Sequence, residues 1–197
     1  MAKALLLSDV ISNIKSSDDM PKLLLHCCCA PCASYVLELL APYFKITTIY
    51  CETNIIPKAE YDKRAGALQK MLALPEYKFV EDEIYLEYDH GTYDKISKIP
   101  MENEGGHRCA ECFMSRLKEV AFWSEACSQD YFATTLTVSP HKNAQMINEI
   151  GKQISAVVNA DYLISNFKKE GGFKRSIEIS KRLELYRQSY CGCTPIT

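Results

Sequence analysis

The residues of this sequence most able to do chemistry are its ten cysteines, because most of them are clustered. Three groups stand out: Cys27-Cys28-Cys29-Ala30-Pro31-Cys32, Cys109-Ala110-Glu111-Cys112 and Cys191-Gly192-Cys193. Thiols at i and i+3 project from one helix face, and a helix N-terminus favours thiolate over thiol. Seven thiols hold motif positions, namely Cys28, Cys29, Cys32, Cys109, Cys112, Cys191 and Cys193. A structural zinc site closes with four ligands, and an iron–sulfur cluster also takes four. Either would leave up to three thiols for a second metal or a redox pair. Spacing leaves both metals open. The isolated Cys51 and Cys127 read as small buried hydrophobes.

Other groups have two readings each. His26 either supports the adjoining thiols from behind or packs in the core. His107 and Arg108 either neutralise a charged centre or solvate a helix start. The turn from Thr134 to Asn143, with His141 and Lys142, suits a phosphate or polar substrate. It equally suits an ordinary helix start capped by Ser139. Tyr50, Asn54 and Tyr61 follow the second strand and share its edge.

Something must hold these groups in place. Leu23 to Leu25 reads as a buried strand ending at His26, so the first thiols fall where that strand turns into a helix over 33–40. The same reading gives strands at Ile46–Tyr50, Tyr77–Val80, Tyr131–Thr135 and Tyr162–Ser165. Helices are expected at Pro57–Leu74, Cys109–Cys127, Asn143–Val157 and Ser176–Gln188. Residues 1–20 read as an amphipathic helix or arm broken at residues 16–19, and the acidic segment 81–104 as a mobile insertion. Strands alternating with long helices predict one α/β domain over residues 21–197, its parallel sheet covered on both faces, behind an N-terminal extension of residues 1–20. In such a sheet, the crevice at the C-terminal strand ends binds ligands.

Composition narrows the class. Hydrophobic residues at 47% and charged residues at 24% exclude disorder and fibrous repeats. No apolar run approaches the ~18–20 residues of a membrane span, and the N-terminus lacks a long apolar signal core. The expectation is a soluble cytoplasmic chain without membrane contact. The net charge of −2 points to no polyanionic partner, yet residues 168–187 carry seven Lys/Arg against three acids. Lys168, Lys169, Lys174, Arg175 and Arg187 could grip an RNA backbone while Tyr186 and Tyr190 stack on bases. A solvated helix face would look the same.

Taken with Asn54-Ile55-Ile56-Pro57…Glu60-Tyr61…Arg64, Gly106 to Cys112, Thr134 to Asn143 and Leu185-Tyr186-Arg187-Gln188-Ser189-Tyr190-Cys191-Gly192-Cys193, the motif His26-Cys27-Cys28-Cys29-Ala30-Pro31-Cys32 resembles the epoxyqueuosine reductases of the QueH type, across residues 23–193. Cys51-Glu52-Thr53 departs from the Asn-Pro pair expected there. The resemblance implies a Rossmann-like, adenine-nucleotide hydrolase-like fold without ATP use, and a small metal-binding C-terminal segment. It implies an oxidoreductase of tRNA queuosine biosynthesis, removing the epoxide oxygen of epoxyqueuosine at the wobble position. That chemistry needs electrons from an external donor. By this resemblance, Cys28, Cys29, Cys109 and Cys112 hold a 4Fe–4S cluster. Cys191 and Cys193 form a redox pair or, with Cys32, hold an additional mononuclear iron. His141, Lys142 and Tyr190 become candidate proton donors or oxygen-positioning groups. Two alternatives are a zinc-binding RNA module without enzymatic activity and an ATP-dependent tRNA-thiolating relative; the absence of a glycine-rich phosphate loop disfavours the latter.

Overall fold

Leu23, Leu24 and Leu25 are fully buried because helices cover both faces of the strand that carries them. Alternate side chains point to opposite faces, so Leu23 and Leu25 join one core while Leu24 joins another. The computed structural model describes residues 4–15, 20–52, 54–89, 91–100 and 104–193, the side chain of residue 92 apart. Among them are six strands: β1 (Ala4–Leu6), β2 (Lys22–His26), β3 (Lys45–Tyr50), β4 (Val80–Tyr85), β5 (Tyr131–Thr134) and β6 (Asp161–Ile164). The helices are α1 (Leu7–Ile14), α2 (Ala30–Leu40), α3 (Lys58–Leu72), α4 (Gly91–Ser97), α5 (His107–Ala126), α6 (Ala144–Ser155) and α7 (Gly172–Arg182).

The strands form one sheet in the order β1-β6-β5-β2-β3-β4, and every pairing is parallel. The chain winds outward from β2 through β3 to β4, then returns to place β5 on the other side of β2. The strand order therefore reverses between β2 and β5, where a ligand crevice is expected. One core packs Val36, Leu37 and Leu40 of α2 and Leu68 and Met71 of α3 against Leu23, Leu25 and Ile46. The other packs Phe113, Leu117 and Val120 of α5 and Ile147 of α6 against Leu24, Ile49 and Phe132. This is the covered parallel sheet that the alternating pattern predicts.

Several boundaries differ from expectation. The strand expected at Tyr77–Val80 lies later, at β4, because Pro75–Tyr77 form a 3-10 turn with Pro75 setting its first φ. Segment 81–104 is no irregular insertion where it is described. It supplies most of β4 and all of α4. Glu81, Asp82 and Glu83 are exposed because β4 is an edge strand, where charge deters further pairing. The final helix, expected at Ser176–Gln188, is Gly172–Arg182; Glu184 at φ 51° turns the chain away toward the site. Asn143, not Ser139, caps α6 by accepting the Met146 N–H. Residues 4–6 pair with β6 as the edge of the sheet and α1 follows, while the break expected at residues 16–19 lies outside the described residues. Among the described residues no helix is long and apolar enough to cross a membrane.

Candidate active site

His26 ends β2 directly opposite Thr134 of β5, so the thiol-rich turn and the hydroxyl-rich turn leave the sheet side by side. Cys27 continues the ladder through its N–H to Ile49 and is fully buried, which makes it a packing residue. Cys28 donates its N–H to Thr135 Oγ1 at 3.0 Å, and the Thr135 hydroxyl donates to Cys28 Sγ at 3.4 Å. Cys29 occupies the N-cap of α2 and Pro31 its first turn, where the missing N–H costs nothing. Cys32 lies in the same turn. The sulfurs of Cys28, Cys29 and Cys32 all lie within 4.8 Å of one another.

Their ionisation is correspondingly shared. Hydrogen bonds from Cys28 and Cys32 hold the Cys29 thiol well below its usual range. The contact with Cys29 pushes Cys28 up to about 11, and the contacts with Cys28 and Cys29 push the Cys32 thiol well above its usual range. Cys29 is thus the thiol of the three most inclined to ionise, at a helix start that favours negative charge.

The second and third thiol groups meet beside the first. Cys109 and Cys112 sit near the start of α5, and Arg116 follows Cys112 by one helical turn on the same face. The chain beyond α7 crosses toward them, held by Arg64 of α3. Arg64 donates from Nη2 to the Tyr190 carbonyl and from Nη1 to the Cys191 carbonyl, both at 3.1 Å. Its Nε binds Glu60 at 2.8 Å, and Tyr186 donates to the same carboxylate. Ile56 N–H donates to Gly192 O at 2.9 Å, and Tyr93 OH to Cys193 O at 3.1 Å. The sulfurs of Cys191 and Cys193 approach to 3.1 Å without being bonded. That contact and burial raise the Cys191 thiol, with Lys142 opposing.

Two adjoining cavities result. One, of about 380 Å³, is lined by Cys28, Cys29 and Cys32. The other, of about 280 Å³, is lined by Cys109, Cys112 and Cys193. Cys191, Arg116, Lys142, Glu104 and Tyr190 line both. Among the described residues, Asn54 Oδ1, Arg108 Nε and Arg116 Nε are buried without a hydrogen-bond partner, and all three side chains line the second cavity. Buried polar atoms ordinarily have partners, so that cavity is built for a polar or charged occupant.

The other expected residues are distributed unevenly. Lys142 lines both cavities and is bound to Glu104 at 2.6 Å. Burial lowers its pKa, but Cys191 and Glu104 outweigh this and the net shift is upward. His141 is exposed at the rim of the first cavity, its N–H on Ser139 Oγ at 3.3 Å. The Tyr190 hydroxyl donates to Ile56 O at 2.7 Å, while Arg64 stacks on its ring at 5.0 Å. Arg108 donates to Tyr93, and exposed His107 faces Glu111 at 3.7 Å. Lys168 turns inward to the Lys142 carbonyl, and Arg175 is bound to Glu38. Lys169 and Lys174 are exposed on the surface, and Arg187 lines the first cavity while donating to Ser180. Tyr50 and Tyr61 are buried packing residues, as is Cys51. Residue 53 lies outside the described residues, but Glu52 beside it is in the site.

Sequence reasoning assigned no role to Glu52 or Arg116. Glu52 accepts from His26 Nε2 at 2.7 Å and from Arg116 Nη1 at 3.1 Å, with all three side chains buried. An acid directly after the apolar run of β3, and an arginine at i+4 from Cys112, were the available signals.

The family described as "Epoxyqueuosine reductase QueH" matches residues 23–195. The epoxyqueuosine reductase QueH of Staphylococcus epidermidis is 40% identical over 192 residues, covering 95% of this chain and 81% of its own. That of Streptococcus pyogenes serotype M1 is 40% identical, covering 88% and 69%. The Thermotoga maritima protein of the same name is 32% identical, covering 88% and 89%.

Proposed function

The chain belongs to the epoxyqueuosine reductase QueH family, and from that premise we propose that it is an oxidoreductase of queuosine biosynthesis that converts epoxyqueuosine in the tRNA anticodon loop to queuosine. The single observation that carries the reading is the convergence of seven motif thiols on two cavities with a common wall at the strand-order reversal. Turning an epoxide into an alkene consumes two electrons and two protons and releases water. Side chains alone supply no such electrons.

The donor set fits an iron–sulfur cluster. Cys109, Cys112, Cys191 and Cys193 line the second cavity, the number of thiolates a cluster requires. The unpartnered Nε–H donors of Arg108 and Arg116 there suit a negatively charged sulfide-bearing group. Cys28, Cys29 and Cys32 suit a single iron with an open position. The resemblance groups Cys28 and Cys29 with Cys109 and Cys112 instead, pairs that line adjoining cavities with a common wall. When bound, the cluster would supply electrons singly and the iron would act as a Lewis acid.

The chain's own residues would do the rest. Lys142 Nζ holds a proton beside both cavities. Arg64 and Glu60 fix the Tyr190 backbone and ring as a wall, and its hydroxyl is already committed to Ile56, so Tyr190 positions rather than protonates. His141 at the rim is placed to meet solvent or RNA. Lys169, Lys174 and Arg187 would contact the tRNA backbone, whereas Arg175 and Lys168 are engaged within the protein. An external electron donor completes the reaction. The 3.1 Å approach of Cys191 to Cys193 favours a second reading of that pair as a redox-active dithiol.

The test is iron, zinc and acid-labile sulfide content after anaerobic purification, with turnover of epoxyqueuosine-containing tRNA. Cys109→Ala is expected to lose both sulfide and turnover. Zinc without sulfide, even after reconstitution, would overturn the reductase in favour of a zinc-binding RNA module. A sulfide-bearing protein with a separable Cys191–Cys193 disulfide would favour the dithiol reading.

A further inference from the structure

Arg116 is a buried cation that lines both thiol-lined cavities, paired with the buried Glu52 of the first cavity. Lys142, the other cation lining both, is tied to Glu104. Arg116 is held instead by a chain of buried polar groups that runs back to β5. Thr134 Oγ1 accepts the Leu136 N–H at 3.1 Å and has its own hydrogen for His26 Nδ1, 2.8 Å away. Nε2 of His26 then carries the hydrogen that Glu52 accepts, and the other Glu52 oxygen takes Arg116 Nη1. With the carboxylate fixed by His26, one edge of the guanidinium is pinned and its buried Nε has no partner among the described residues. Its placement i+4 from Cys112 directs it back toward the thiols.

We propose that Arg116 is the fixed positive charge that sets the reduction potential of the thiol-held centre, and that Glu52 and His26 are its positioning residues. The inference rests on the iron–sulfur reading above. Reduction adds negative charge to a centre already surrounded by thiolates, so a cation pinned in a water-poor wall stabilises the reduced form. Glu52 acts in two opposed ways: it positions the cation and partly cancels it. The two residues should therefore move the potential in opposite directions.

The experiment is spectroelectrochemical titration of anaerobically purified protein and the variants Arg116→Gln, Arg116→Lys and Glu52→Gln, with iron and sulfide measured on each. Glu52→Gln keeps an oxygen for His26 and removes the negative charge. Its reduction equilibrium should shift toward the reduced form, on the order of tenfold, or about 59 mV for one electron. Arg116→Gln should shift it oppositely, and Arg116→Lys should stay near the parent. Loss of packing would admit water in every variant and move all of them the same way. Shifts of one sign, or none, in cluster-bearing variants would overturn the proposal. Absence of sulfide from the parent protein would instead overturn the cluster reading. If Arg116→Gln does not fold, the sign for Glu52→Gln set against Arg116→Lys decides.

Discussion

Glu52 stands 1% exposed between a histidine and an arginine, both of which bond its carboxylate. Burying an ion pair is nearly neutral, whereas removing one member leaves the other uncompensated. Glu52→Ala is therefore expected to lower the unfolding free energy by ~3–5 kcal/mol, measured by urea denaturation of metal-free protein. Gly192 illustrates a different constraint. Its φ is 116°, and a Cβ there would lie 2.8 Å from Ile55 Cγ1. Gly192→Ala should weaken docking of the C-terminal segment by ~1–3 kcal/mol, read as faster hydrogen exchange at the Ile56 amide. The cysteines divide by the same logic of surroundings. Cys27 and Cys51 are thiols among apolar side chains and are held protonated by burial. Cys29 differs because two thiols and a helix start face it.

At the scale of elements, the site is assembled from the ends of β2, β3 and β5, the start of α5 and the segment beyond α7. Strand ends are rigidly placed by the sheet; the last segment depends on local ties. Arg64 supplies two of them, to the carbonyls of Tyr190 and Cys191. Arg64→Met keeps much of the buried bulk and removes these bonds. The expected outcome is an intact far-ultraviolet spectrum with markedly faster alkylation of Cys191 and Cys193. Unchanged alkylation would mean that the Tyr190 and Gly192 contacts hold the segment alone. The exposed ion pair Arg175–Glu38 also ties α7 to α2, but screening by solvent makes it a minor contributor.

For the molecule as a whole, alkaline pH probes the packing of the face opposite α5 and α6. Burial, with Glu76 adding to it at Tyr77, raises both Tyr61 and Tyr77 to about 12. In the unfolded chain a tyrosine ionises near 10. The unfolded state thus loses these protons first as pH rises. Their share of the stability is full below about pH 10 and falls progressively toward about pH 12. The urea midpoint should decline over that window, and Tyr77→Phe should decline less steeply than the parent.

The α/β class, the parallel sheet, the sheet edge at which the two cavities lie and the thiols that line them were legible in the residue order. Apolar runs with alternating periods specify strands and helices locally, and clustered thiols have few other uses in such a chain. Four things were decided only in three dimensions. The acidic β4 carries its apolar signal weakly because it is an edge strand. The end of α7 depends on one left-handed residue, Glu184. The roles of Glu52 and Arg116 arise from partners 64 positions apart, which no local pattern records. The sorting of seven like thiols into two cavities depends on where α5 and the C-terminal segment meet the sheet. Local sequence determines which groups are available; long-range packing determines which of them share a cavity and a charge.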